Sequence, residues 1–249
     1  MICMALTCHR HGYPTAFLDR QILLAILYEH LADRQDRVLV NKKVTKVEHL
    51  PEKVVVHCAD NSIFEGDVVV GADGVRSSVR EQMWDYMESR GLREEVLKER
   101  TCTFQSKATC SPTRSLANSV GAVMTSEYNC VFGISTTTPG LTPGDTHRTF
   151  AEGYSLLTII GKEGRVFWFF FTRMEQKYHA SHIPRYSQND IDSHVAPYLH
   201  KPITQEVAFA EVYQRAIVRT FVPLEEALYQ HWSVDRYVCI GDSAHKVRI

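Results

Sequence analysis

The residues best suited to chemistry lie in one short stretch, Asp67–Arg80, which reads DVVVGADGVRSSVR. Gly71 and Gly74 turn the chain without side-chain bulk, so a ligand can come close to the backbone. Asp73 places a carboxylate in that turn, and Ser77, Ser78 and Arg80 follow it. A helix that begins here would offer unpaired N–H groups to a phosphate. The pattern favours binding of a pyrophosphate or a ribose, with an ordinary glycine-rich strand-to-helix connection as the alternative.

A second stretch near the end of the chain repeats this arrangement. The apolar run Tyr237–Ile240 predicts a buried strand, and Gly241 and Asp242 follow it directly. A carboxylate at the end of a strand can accept hydrogen bonds from ribose hydroxyls. His245 comes shortly afterwards, where packing or capping is favoured over a role as a general base.

The pattern around these two stretches predicts a mixed α/β fold. Apolar residues spaced by three and four predict a helix over residues 17–32, and the valine run 68–70 predicts a strand buried on both faces. Further helices are predicted at 75–87, 189–199 and 225–232, and the charge-rich residues 94–100 as a solvated face or loop. Short strands are predicted at 37–40, 44–50 and 54–58.

From Thr101 to about Phe221 the composition favours a second, sheet-rich region. Five strands are predicted there, at residues 103–105, 121–126, 130–136, 154–160 and 165–172, with a Pro/Gly loop at 138–145. The strand Val166–Phe171 carries five aromatic residues in six positions. Such a strand needs cover on both faces, and we favour core packing over direct contact with a flat apolar ligand.

The overall composition narrows the class of protein. The 249 residues carry a formal net charge of −1, which gives no support to binding of nucleic acid. Seven scattered cysteines favour reduced intracellular thiols, and Cys8, His9 and His11 lack the further ligands of a metal site. No apolar run is long enough to span a membrane. We expect a cytoplasmic or peripherally membrane-associated protein.

The two glycine stretches taken together resemble a known family. An Asp-Gly motif (residues 71–80) and a later Gly-Asp motif (239–246), separated by a sheet-rich region, are typical of FAD-dependent hydroxylases such as para-hydroxybenzoate hydroxylase. Residues 12–24, together with Tyr128 and the run 132–135, resemble fungal members. Those enzymes epoxidise prenyl double bonds in indole-diterpene and meroterpenoid pathways.

The resemblance implies roles for particular residues. Cofactor-binding roles fall on Arg20, which would contact FAD, and on Asp73 and Gly74, near the FAD pyrophosphate and the docking place of NADPH. Arg80 would steady the turn, and Gly241 and Asp242 would meet the ribityl–pyrophosphate region. Tyr128 occupies the place of a proposed catalytic tyrosine, with a structural sheet tyrosine as an equal alternative.

The activity implied is that of an FAD- and NADPH-dependent monooxygenase. NADPH would reduce the flavin, and O₂ would then supply one oxygen atom to a terpenoid or aromatic secondary metabolite. The protein itself would bind and orient the cofactor and the substrate and would exclude water from the site. Two alternatives remain: an inactive remnant or non-catalytic binding module, and a flavin-dependent prenyl-chain reductase, which shares both motifs.

The sequence departs from the family in one respect. The family opens with a βαβ unit that carries Gly-x-Gly-x-x-Gly and holds the ADP half of FAD, and no glycines here have that spacing. We therefore expect truncation at both ends: a partial FAD-binding domain (1–100 and 222–249) lacking its first βαβ, around a substrate-binding sheet (101–221). Such a chain would hold FAD poorly or not at all.

Overall fold

The computed structural model describes Gly12 and residues 17–100, 124–179 and 182–246, without the side chain of Lys98. The predicted strand at residues 103–105 lies outside these ranges. The described residues divide into two compact units. Unit one draws on residues 1–34, 127–175 and 184–224, and unit two on residues 35–126, 176–183 and 225–249. The domain boundaries expected at residues 100 and 221 stay a prediction.

Six α-helices and twelve strands occupy the described residues. The helices are α1 (Arg20–Glu29), α2 (Arg34–Arg37), α3 (Ser78–Ser89), α4 (Arg93–Arg100), α5 (Gln188–Val195) and α6 (Phe209–Gln214). The strands are β1 (Val44–His49), β2 (Val54–Cys58), β3 (Ile63–Gly66), β4 (Val69–Gly71), β5 (Met124–Ser135), β6 (Thr146–Ala151), β7 (Tyr154–Ile160), β8 (Val166–His179), β9 (Ala216–Leu228), β10 (Ser233–Val234), β11 (Tyr237–Cys239) and β12 (His245–Lys246). A mixed α/β fold is therefore confirmed.

Unit one is built on a sheet in which β9, β5, β8, β7 and β6 follow one another. Strand residues alternate between two faces, and, apart from Phe167, the buried residues of β7 and β8 are even-numbered. They pack with α5 and α6 into one core, in which Trp168, Phe170 and Phe209 are fully buried. The odd-numbered residues of both strands therefore lie on the opposite, more open face.

Unit two combines an antiparallel sheet, β1-β2-β3, with a small sheet in the order β10-β11-β4. In the small sheet β4 runs parallel to β11, so that Val69 lies opposite Tyr237 and Gly71 opposite Cys239. Helix α3 buries Met83, Trp84 and other residues against both sheets. The ends of the Asp-Gly and Gly-Asp motif strands are thereby fixed side by side.

Four predictions from the sequence are wrong in detail. Residues 68–70 are not buried on both faces, because β4 stands at the edge of its sheet and Val70 is 53% exposed. Residues 225–232 begin as the last residues of strand β9 and form no helix, and residues 37–40 form no strand. Conversely, residues 94–100 belong to helix α4, whose Val96 and Glu99 are buried.

Helix α1 confirms the predicted helix and leaves its apolar side chains exposed. The helix is shorter than predicted, and none of its ten residues is buried. Six of its side chains are large, apolar or aromatic, and exposed, namely Ile22, Leu23, Leu24, Ile26, Leu27 and Tyr28. Among the helices described, none has the length and apolar character required to cross a membrane.

Candidate functional site

The Asp-Gly and Gly-Asp motifs meet through the carbonyl group of Gly71. The backbone N–H of Ile240 donates to this oxygen at 2.9 Å, and the hydroxyl of Ser243 donates to it at 2.5 Å. Gly71 has no room for a side chain, because an added Cβ would lie 2.8 Å from Cβ of Val79. The two predicted binding turns are therefore parts of one local structure.

Asp73 uses its carboxylate to cap helix α3. Its Oδ2 atom accepts hydrogen bonds from the backbone N–H groups of Ser78 at 2.6 Å and Val79 at 3.2 Å. Ser77, the N-cap residue, accepts from the N–H of Arg80 at 2.9 Å. Three N–H groups of the first turn are thus already occupied. The N–H groups that the sequence suggested for a phosphate therefore bind Asp73 and Ser77 instead.

Arg80 is buried, and its guanidinium bonds to backbone rather than to solvent. Nη1 donates to the carbonyl of Ser243 at 2.8 Å, and Nη2 donates to the carbonyl of Val75 at 2.6 Å. The guanidinium carbon lies 4.0 Å from the ring centroid of Tyr229 and 5.1 Å from that of Trp84. Both aromatic faces favour a cation. Arg80 therefore links the two motifs through buried hydrogen bonds.

The opposite side of this structure is open. Gly74 and Gly241 adopt positive φ values of 84° and 60°, and an added Cβ would meet no atom within 4 Å at either position. Asp242 is exposed and has no hydrogen-bond or ion-pair partner among the described residues. Two accessible backbone turns and a carboxylate that no described residue pairs are therefore available to a polar ligand. A glycine-rich diphosphate loop is not among the residues of this sequence.

His245 lies just beyond the Gly-Asp motif and packs as the sequence favoured. Its ring stacks on that of Trp232, with the ring centroids 5.1 Å apart and the planes within 14°. Its backbone pairs with Leu228 in the short β12–β9 ladder. The described residues hold no cluster of three or more His, Cys, Asp or Glu side chains that could bind a metal ion.

Unit one contains a cavity of about 530 Å³, which we call the Arg20 cavity. Its aromatic wall comprises Phe17, Phe132, Phe167 and Phe169, and Phe17 packs edge-on against Phe167 with 4.8 Å between ring centroids. Arg20 lines the same cavity, is exposed, and pairs with no described residue. The cavity thus combines an aromatic wall with a cation that no described residue pairs, which suits a large aromatic or amphipathic ligand.

A second cation of the Arg20 cavity, Arg165, is neutralised. Its guanidinium forms an ion pair with the carboxylate of Asp19, the residue at the N-cap of helix α1. An aspartate at this position normally caps the helix, but here its side chain makes no capping hydrogen bond. The ion pair attaches the start of α1 to the sheet of unit one, so that of the two arginines lining this cavity only Arg20 is without a partner among the described residues.

A smaller cavity of about 280 Å³, the Tyr128 cavity, lies on the same sheet. It is lined by Tyr128, Phe150, Ala151, Gly153, Tyr154, Ser155, Phe171 and Arg173. Tyr128 is half-buried on β5, and Phe171 and Arg173 are successive odd-numbered residues of β8. The sequence singled out Tyr128 but gave no sign that Arg173 and Ser155 would accompany it, because three different strands supply them.

The aromatic strand resolves into two faces with different roles. Trp168 and Phe170 lie in the core of unit one, as the sequence favoured. Phe167, Phe169 and Phe171 face the two cavities instead, and the last two rings stack with 6.3 Å between their centroids. Period-two alternation in a strand explains this division. The two cavities are therefore neighbours along one aromatic face.

No family model matches the chain, but individual proteins do. FAD-dependent monooxygenase BOA8 of Botryotinia fuckeliana (strain B05.10) is 38% identical over 242 residues, which cover 97% of this chain and 29% of that protein. FAD-dependent monooxygenase spyC of Aspergillus fumigatus is 40% identical over 239 residues, which cover 96% and 46%, respectively. The chain spans less than half the length of either relative. Nearly all of it nevertheless resembles FAD-dependent monooxygenases, which confirms the resemblance found in the motifs.

The solved structure of HpxO from Klebsiella pneumoniae, complexed with FAD and uric acid, has the same fold. It superposes with a TM-score of 0.62 at 18% identity and covers 98% of this chain and 52% of that one. At this level of identity the similarity concerns the fold. In sequence, the class of protein to which the chain is similar is that of the FAD-dependent monooxygenases.

Proposed function

We propose that this chain forms part of an FAD- and NADPH-dependent monooxygenase that inserts oxygen into an apolar terpenoid or aromatic secondary metabolite. The observation that carries the proposal is the junction of the two motifs at Gly71, with Gly74, Gly241 and Asp242 open on one side. The similarity to fungal FAD-dependent monooxygenases over 96–97% of the chain supports it.

Each residue near the motifs has a distinct task in this proposal. Gly74 and Gly241 let the cofactor approach the backbone, and Asp242 accepts hydrogen bonds from its hydroxyl groups. Asp73 stabilises the turn by capping helix α3. Arg80 does not touch the cofactor, but it fixes the backbone that does. When bound and reduced, FAD would supply the reaction of O₂ with the substrate. Arg20 of unit one is proposed as a further FAD contact.

The substrate is proposed to lie on the aromatic face of unit one. Phe132, Phe167 and Phe169 offer a flat surface that excludes water from an apolar ligand, as oxygen transfer requires. Tyr128 is the proposed catalytic residue, because its phenol lines the adjoining cavity, where it can donate a proton to a substrate oxygen.

The affinity for FAD is expected to be low. The sequence lacks the glycine-rich loop that holds the ADP half of FAD in relatives of this fold. In addition, among the described strands β4 has a neighbour on one side only and exposes Val68 and Val70, although a strand of this kind is usually buried between neighbours. The second candidate function is a binding module without turnover.

Oxygen consumption distinguishes the candidates. The purified chain, saturated with FAD, is supplied with NADPH and an olefinic terpenoid, and O₂ uptake and product mass are measured. A monooxygenase gives product that gains one oxygen atom from labelled ¹⁸O₂. Reduction of the alkene without O₂ would indicate the reductase alternative. Saturable terpenoid binding without either product would leave only the binding module.

A further inference from the structure

The Tyr128 cavity has a chemical character that differs from that of the Arg20 cavity. Of the eight residues that line it, Arg173 is charged, and Tyr128, Tyr154 and Ser155 carry hydroxyl groups, while none carries a carboxylate. Arg173 is exposed and makes no hydrogen bond or ion pair with any described residue. A guanidinium beside three hydroxyl-bearing side chains is a suitable recognition site for an acidic oxygen.

Strand register brings these groups onto one side of the sheet. Ser155 lies opposite Phe171 on β8 and opposite Phe150 on β6, so that the three side chains stand in one row. Arg173 follows Phe171 by two residues and therefore emerges from the same face. The ring of Phe150 is 81% exposed, which is unusual for a phenylalanine that has no ligand to cover.

The aromatic rings connect this polar group with the Arg20 cavity. Phe171 lines the Tyr128 cavity, Phe169 lines the Arg20 cavity, and their rings are parallel within 7°. Phe132 continues the surface, with its ring centroid 4.9 Å from that of Phe169. One elongated ligand can therefore lie across both cavities, with a polar end beside Arg173 and an apolar end on the phenylalanine rings.

We propose that the Tyr128 cavity is a subsite for an anionic oxygen, a carboxylate or an ionised enol or phenol, at one end of an otherwise apolar substrate. Arg173 is the specificity-determining residue, and Phe150 and Phe171 cover the adjoining carbon atoms. The proposal rests on the proposed function in taking this ligand to be the substrate.

Equilibrium dialysis with two matched probes tests the subsite without FAD or turnover. The probes are 2-naphthylacetate and the uncharged 2-naphthylacetamide, which differ mainly in charge. We expect the unaltered chain to bind the carboxylate at least five times more tightly than the amide. Arg173→Gln should abolish this preference and leave the affinity for the amide within twofold, whereas Arg173→Lys should retain part of it.

Arg148→Gln is the matched control. Arg148 is also an exposed arginine of this sheet. It lies on β6 opposite Leu157 of β7, but it does not line the cavity. Equal affinity of the unaltered chain for both probes, no binding of either, or an equal loss in Arg148→Gln would overturn the subsite. Because no cofactor is present, these outcomes leave the monooxygenase proposal untouched. Conversely, a lack of oxygen uptake in the monooxygenase assay would leave the preference for the carboxylate probe over the amide probe unaffected.

Discussion

The guanidinium of Arg80 donates a hydrogen bond to the backbone carbonyl of Ser243, 163 residues further along the chain. Through this contact the helix that follows the Asp-Gly turn holds the 3₁₀ turn Gly241–Ser243 of the Gly-Asp motif. The guanidinium also lies against the aromatic faces of Tyr229 and Trp84. The geometry of both motifs therefore depends on one buried cation.

Arg80→Met should destabilise the fold strongly. The substitution leaves the carbonyl groups of Ser243 and Val75 without their charged donor, and hydrogen bonds to charged groups contribute about 1.5–3 kcal/mol each. We expect the free energy of unfolding in urea to fall by roughly 2–4 kcal/mol. Arg76→Met, at an exposed position of the same stretch, is the control and should change it little. Equal stability of the two variants would show that the buried contacts are unimportant.

Gly133→Ala should be poorly tolerated because β5 passes directly over an indole ring. A Cβ atom at this position would lie 2.0 Å from Cζ2 and 2.2 Å from Cε2 of Trp168, which is fully buried. Overpacking of this kind costs about 1–3 kcal/mol or more. Thermal unfolding measures the loss. Gly66→Ala, whose new Cβ would come no closer than 3.8 Å to another atom, should leave the melting temperature nearly unchanged; a similar drop in both variants would contradict the close contact.

His194 should make the stability of the chain depend on pH. Burial lowers the pKa of His194 below its ordinary value of 6.5, and its Nε2 lies 2.9 Å from the hydroxyl of Thr172. The unfolded chain therefore takes up a proton at a higher pH than the folded chain. The contribution is complete above pH 6.5 and is lost as the pH falls from there through the folded pKa.

Urea unfolding between pH 8 and pH 5 checks this dependence. His194→Gln keeps a polar side chain but cannot titrate in this range, so its stability should fall less steeply on acidification than that of the unaltered chain. Parallel pH profiles for the two proteins would assign the dependence to other groups.

Tyr128→Phe separates a catalytic tyrosine from a structural one. The variant lacks only a hydroxyl group at the wall of its cavity. If the phenol donates a proton during oxygen transfer, product formation at saturating FAD and NADPH should fall at least tenfold, since general acids contribute on the order of 10²–10⁴. Binding of FAD should not change. Product formation at the unaltered rate would return Tyr128 to a structural role.

The sequence predicted the secondary-structure elements better than it predicted which of their side chains are buried. Strand β7 was placed correctly at Tyr154–Ile160, because its pattern depends on neighbours along the chain. The exposure of α1 and of Val70 was not predictable, since an apolar pattern indicates what ought to be covered and not what covers it. The same limit explains why the run 225–232, apolar at helical spacing, was misread when it continues strand β9.

In the candidate site, too, residues in local motifs could be predicted from the sequence and residues brought together by strand pairing could not. Gly74, Gly241 and Asp242 were found from short motifs, because glycine turns have a local signature. The capping role of Asp73 could also have been found, since an acid just before a helix commonly bonds its first N–H groups. Arg173 could not, because only the register of β6, β7 and β8 unites it with Ser155 and Phe150.

Titration of the purified chain with FAD, followed by quenching of flavin fluorescence, tests most directly whether the joined motifs bind the cofactor. We expect weak, saturable binding that Gly241→Ala reduces at least tenfold, because the added methyl group fills the space left for FAD. Gly91→Ala is the control, since Gly91 has a comparable positive φ of 90° and equally open surroundings in the same unit. Equal affinities of the two variants, or no binding by the unaltered chain, would contradict the assignment.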